Sequence, residues 1–319
     1  MANNLTPPDY VESRYGASKF LRGYHGIVYI FGTIAIIAAQ FNAFGGMAQA
    51  FGISRPVAII IGAVVVIVYT GMSGMWGVAV TDVVQIGICL VFLPIIAVLS
   101  MNVLNEKVGM TLGSMFSEPF FATPSAAGTF LYSLIPTVIG SLFAYEYYLR
   151  FQSAKDERDA RISSIIGGIF LLVLAIPVGL IGSVAHNIFP DIPSDAVLSH
   201  VVNQTLPPWA AIIFLAAVLA AIMSTADSMM TSLARMCSRD IYHKLFHPDE
   251  EYNNLPHSMK IARWSSIIGA VLATIISLNF QSIMGLLFWT SPLQCGVMFA
   301  PIIVGLFWKG ANKRGAYAA

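Results

Sequence analysis

Long apolar runs broken by short polar connections dominate this 319-residue chain. A helix needs about 20 apolar residues to cross the hydrocarbon of a bilayer. Eight stretches meet that length: 24–50, 55–76, 79–104, 126–148, 163–185, 208–235, 263–280 and 283–308. They are too long and too uniformly apolar for barrel strands, and an open sheet would leave its backbone groups unsatisfied in lipid. The pattern predicts an all-α integral membrane protein with a cytoplasmic amphipathic segment over 1–23, a transmembrane helical bundle over 24–308 and a cytoplasmic tail over 309–319. Thr6-Pro7-Pro8-Asp9 reads as a helix start, with a hydroxyl cap, proline in the first turn and an acid at the positive end. The segment 8–20 is expected to lie on the inner surface. Residues 105–125 and 186–207 read as outer loops, and 236–262 as an inner connection with a surface helix.

The charges orient this arrangement. With the N-terminus inside, the inner connections hold Arg14, Lys19, Arg22, Arg150, Lys155, Arg158, Arg161, Arg235, Arg239, Lys244, Lys260, Arg263, Lys309, Lys313 and Arg314. Those are 15 of the 17 basic residues; Arg55 and Lys107 fall outside. The bias predicts a multi-pass protein of the cell membrane with both termini cytoplasmic.

Composition narrows the class. The chain is 57% hydrophobic and 10% charged, with 17 basic against 16 acidic residues and a net charge of +1. Soluble domains carry about 25% charged residues. A water-soluble enzyme and a disordered chain are both excluded, and nothing favours a nucleic-acid partner. The bulk solvent of the fold is the lipid bilayer. Cys89, Cys237 and Cys295 form no metal-binding or disulfide pattern and read as free thiols. No nucleophile–base pair stands out, so no enzyme and no organic cofactor is expected.

Acids inside a membrane are costly and point to function. Asp82 lies a turn or so into the third crossing, and Asp227 lies in the sixth. Glu146 precedes Arg150 by four residues, the spacing of a helical ion pair. In the sixth crossing Ala221, Ser224, Thr225 and Ser228 recur at i, i+3, i+4 and i+7, on one helix face. Such a stripe suits close helix packing. It also supplies the hard oxygens an alkali cation wants. Asp82 likewise has two readings, a helix-start acid favoured by the macrodipole or part of a cation pocket. Asp227 precedes Arg235 by eight residues, about 12 Å along a helix, so both acids and the stripe fall at similar depth. Gly45, Gly46, Gly167 and Gly168 read as sites of close helix approach.

At these residues the sequence resembles the sodium:solute symporter family, which includes proline, pantothenate, sugar and sialic-acid carriers. The resemblance rests on Leu5-Thr6-Pro7-Pro8-Asp9-Tyr10, on Tyr69 to Gly74 with Thr81-Asp82-Val83-Val84-Gln85, and on Arg150 to Asp156. It rests also on Ala221 to Ser228 with Ser238-Arg239-Asp240-Ile241-Tyr242, and on Phe307 to Ala316. It implies part of an inverted five-plus-five helix fold, from just before the third core helix to just after the tenth. It implies a sodium site at Ala221, Ser224 and Thr225, and a second cation position using Asp82, Asp227 and Ser228. The family's frequent aromatic on the sixth core helix has no evident match in Ser141-Leu142-Phe143-Ala144.

The expected function is sodium-coupled symport of a small polar organic solute by alternating access, with Na+ as coupling ion. The alternative is a truncated, non-transporting membrane protein or a fragment that needs the helices absent from this chain.

Overall fold

The computed structural model describes residues 6–72, 75–109, 111, 128, 131, 134–135, 138, 145–189, 191–192, 196–250, 252, 257–280, 282–283, 285–288, 290 and 299–318. Most of the expected 126–148 crossing, part of 283–308, most of the 105–125 connection, Cys295 and the Ser141 to Ala144 stretch lie outside these residues.

Helices account for nearly all of the described chain. They are α1 (Pro7–Tyr15), α2 (Lys19–Ala48), α3 (Arg55–Met72), α4 (Met75–Val108), α5 (Tyr145–Ser153), α6 (Glu157–Ile188), α7 (Val197–Thr205), α8 (Pro208–Arg235), α9 (Ser258–Asn279) and α10 (Lys313–Ala318). Among the described residues, five helices are long and apolar enough to cross a membrane, and Arg55–Thr70 forms a shorter apolar one. Helix α6 shows how this chain meets its surroundings. Its most apolar window has a mean hydropathy of 2.6 yet is only 11% buried. Leu171, Leu172 and Ile176 point outward. An outward face this apolar suits hydrocarbon rather than water.

Several helices start earlier than their apolar runs. Helix α2 begins at Lys19 because Ser18 caps it, accepting a hydrogen bond from the Leu21 amide at 3.3 Å. Helix α6 begins at Glu157 because the Asp156 carboxylate accepts from the Asp159 amide at 2.8 Å. Caps extend a helix into polar residues that an apolar count leaves out.

Two readings need correction. The 186–207 connection is not all loop: Val197–Thr205 is helical, with Val201 and Val202 buried. The apolar spacing of Leu198, Val201 and Val202 gives it a face to pack against α4 and α8. The start of the 236–262 connection is not a surface helix. Met236–Phe246 continues α8 as a wider π-helical segment that buries Met236, Ser238, Asp240 and His243.

Helices α2, α3, α8 and α9 share one core, built around Ile37, Phe41, Ile59, Val66, Met230, Leu233 and Ala270. Gly45 brings α2 close to Ile59 of α3, where an added methyl would sit 2.8 Å from the Ile59 side chain. Gly269 likewise admits the Leu233 side chain. Among the described residues, nothing lies within 4 Å of a methyl added at Gly167 or Gly168, which were expected to do the same. A second core joins α4, α6, α7 and α8, with Phe92 and Phe214 stacked at 5.9 Å. Across α2, α3 and α9, the fully buried Asn42 amide donates to the Phe280 carbonyl at 2.7 Å and accepts from Ser277 and Arg55.

Candidate functional site

The site forms where α4 passes α8. Ser224 is buried, while Ala221, Thr225 and Ser228 are half-buried, so the small oxygen-bearing stripe is an edge of α8 rather than a sealed packing seam. Asp82, also half-buried, comes from the third turn of α4. The Ser224 hydroxyl donates a hydrogen bond to Asp82 Oδ1. Two residues 142 positions apart therefore meet across two helices.

The hydrogen-bond directions matter. The Ser224 proton goes to the carboxylate, and the Thr225 hydroxyl donates to the Ala221 carbonyl at 3.0 Å. Hydroxyls that donate in hydrogen bonds still hold oxygen lone pairs. Asp82 keeps a second carboxylate oxygen free of the Ser224 contact. This donor set matches a hard monovalent cation, which prefers oxygen ligands. The Ala221 carbonyl already accepts the Thr225 hydroxyl, so that hydroxyl must rotate before the carbonyl can serve a cation.

Asp227 and Ser228 fall differently. Asp227 is 3% exposed and lies on the buried flank of the stripe, one turn from Ser224. Ser228 stays on the half-exposed edge, and its hydroxyl accepts from Arg150 Nη2 at 3.4 Å. Arg150, expected to pair with Glu146, directs a hydrogen bond to α8 while its charge still acts on Glu146. Sequence spacing held no sign of this contact, because 78 residues separate the two.

A second polar assembly lies beyond the site, where the chain's basic connections gather. Arg22 of α2 donates to Asp9 at 2.7 Å, to Glu12 at 2.6 Å and to Asp240 at 2.7 Å. Arg239 donates to Asp9 at 2.8 Å. Asp240 also accepts from Thr6 at 3.0 Å and from the Tyr145 hydroxyl at 2.8 Å. Arg22 is 1% exposed and Asp240 is fully buried. Buried charges persist only when paired and hydrogen-bonded this fully. Burial alone would raise the Asp9 carboxyl, but the Arg22 hydrogen bond and the charges of Arg239 and Arg22 outweigh it and hold it below the usual carboxylate value. The helix start at Thr6 and Asp9 was legible in the sequence. The knot was not, since its members come from opposite ends of the chain.

Comparison with known proteins adds three findings. A family model described as the sodium:solute symporter family matches residues 1–319. Among curated relatives, the human high affinity choline transporter 1 is 28% identical over 331 residues, covering 98% of this chain and 56% of that protein. The Escherichia coli sodium/pantothenate symporter is 27% identical, covering 99% of this chain and 67% of that protein. The osmoregulated proline transporter of Bacillus subtilis is 27% identical, covering 99% and 65%. The chain thus spans about half the length of the choline transporters it matches. A solved Na+-coupled sialic acid symporter, in a substrate-bound outward-open state, aligns with a TM-score of 0.76 at 20% identity. That alignment covers 98% of this chain and 68% of that one. It shows the fold: all-helical, part of an inverted five-plus-five repeat.

Proposed function

Because this chain belongs to the sodium:solute symporter family, we propose that it contributes most of the helical bundle of a sodium-coupled symporter for a small polar organic solute. The protein is a multi-pass membrane protein rather than an enzyme. The basic connections face the cytoplasm, as do both termini, and the 24–308 region crosses the bilayer eight times. The coupling ion is Na+, held by Ala221, Ser224 and Thr225, with Asp82, Asp227 and Ser228 framing a second cation position. Choline, pantothenate and proline, named for the relatives, define the class of solute to test first.

One observation carries this reading: the Ser224 hydroxyl on α8 meets the Asp82 carboxylate on α4 at a half-exposed edge. A carboxylate placed in apolar surroundings needs a countercharge, and a sodium ion beside these oxygens supplies one. Binding both ion and solute in one state lets each stabilise it, so the sodium gradient drives the solute. The membrane potential adds about 2.3 kcal/mol per charge per 100 mV.

The test is solute uptake into proteoliposomes, with choline, pantothenate and proline, in sodium against N-methylglucamine. Sodium-dependent uptake that S224A and T225A weaken at fixed sodium supports the proposal. Uptake indifferent to sodium, or unaffected by both substitutions, contradicts it.

A further inference from the structure

Arg150 is the one described cation whose side chain bonds a hydroxyl of the α8 stripe. Its Nη2 lies 3.4 Å from Ser228 Oγ. Ser228 follows Ser224 by one helical turn on the same edge, a rise of about 6 Å. Arg150 is exposed, so its guanidinium reaches the edge from outside the packed interior. Its helix is nonetheless anchored. Tyr145, five residues earlier on α5, is 1% exposed and donates to Asp240 in the buried charge knot. The Tyr145 ring also packs edge-on against Tyr29 of α2 at 6.1 Å. Arg235, seven residues after Ser228 on α8 and also exposed, places a second positive charge further along the same face.

A hydroxyl oxygen that accepts from a guanidinium offers its lone pair poorly to a metal cation, and the two positive charges repel. We infer that Arg150 is a tethered competitor for the cation position at Ser228: the guanidinium and a free sodium ion occupy the Ser228 oxygen in turn, so sodium binding there displaces Arg150. The inference rests on the cation site proposed above. It assigns Arg150 no contact with solute; the residue acts by occupying a ligand and by its charge.

Sodium affinity decides the matter, measured by equilibrium binding of radioactive Na+ to the purified chain in nanodiscs. Arg150 is exposed but its charge also acts on the half-buried Glu146 one turn earlier, so elution by size exclusion checks that each neutral variant folds. Both R150Q and R150M are expected to bind sodium about five- to tenfold more tightly, the loss of one screened repulsion at close range. R150K, which keeps charge and donor, stays within about twofold of the parent, by the same reasoning. K155Q, which removes an exposed charge on the neighbouring connection, leaves affinity unchanged. Unchanged affinity in R150Q and R150M, with S224A still weakening binding, overturns the competitor role and spares the cation site. Tightening by R150K equal to that by R150Q also overturns it, because charge would not be the cause. If neither S224A nor the Arg150 variants alter sodium binding, the cation site fails and the inference falls with it.

Discussion

Replacing Asp82 by asparagine removes the formal charge that meets Ser224 at the α4–α8 contact while keeping its shape. The amide carbonyl of the D82N side chain can still accept from Ser224, so the geometry survives and the charge term is isolated. Two unit charges 4 Å apart interact by about 4 kcal/mol at an effective dielectric of 20, and by about 1 kcal/mol in water. Asp82 is half-buried, so screening places its contribution between these limits, about 1–3 kcal/mol. At 1.4 kcal/mol per decade, sodium affinity should fall by roughly five- to a hundredfold. Sodium-dependent protection against heat, titrated over sodium concentration, reads this directly, because a ligand bound only by the folded state raises its stability. The sodium-free melting temperature of D82N should stay at or above the parent's, since an acid in partly apolar surroundings no longer lacks a countercharge. A folded D82N whose sodium midpoint moves less than twofold would refute the electrostatic role of Asp82.

Other perturbations reach the rest of the structure. R22M leaves three carboxylates around an apolar side chain and should cost about 3–5 kcal/mol, the usual penalty for breaking a buried ion pair, read as a lower melting temperature in detergent. G269A drives a methyl into Leu233 and should cost about 1–3 kcal/mol, whereas G167A, which faces open space, should be neutral or slightly stabilising. The depressed Asp9 pKa makes a pH prediction. A carboxyl whose folded pKa lies below its unfolded value adds stability above the unfolded pKa and loses it as pH falls through the folded one. Asp9's contribution to stability should therefore hold between pH 7 and 5 and fall below about pH 4, where unperturbed aspartate titrates, against an opposite contribution from Asp240, whose carboxyl is raised by burial. D9N should melt lower at pH 7 and show less of that acid-side drop.

The membrane class of this fold is legible because lipid imposes a length and leaves a charge bias at one side. The contact between Asp82 and Ser224 was within reach of the same counting. Each residue could be placed by depth from the basic end of its own crossing, and depth, unlike sequence separation, compares positions on different helices. What depth cannot give is the neighbour across an interface. Gly45 and Gly167 look alike in sequence, yet only Gly45 faces a side chain, Ile59. Asp240 and Arg239 read as part of a loop motif, although their partners Asp9 and Arg22 lie more than 200 residues away. The helix over Val197–Thr205 was hidden for a different reason: nine residues are too few for a hydropathy run to separate helix from loop.

The central claim is that the Ser224 hydroxyl, at the Na+ position, and the Asp82 carboxylate, at the second cation position, act together in sodium binding across the α4–α8 contact. A double-mutant cycle in sodium affinity, comparing the parent chain with D82N, S224A and the pair, isolates their joint term. If the two positions are coupled through that contact, the double mutant should lose less than the sum of the single losses, with a coupling of at least about 1 kcal/mol. Strictly additive losses, or none at all in folded variants, would contradict the account.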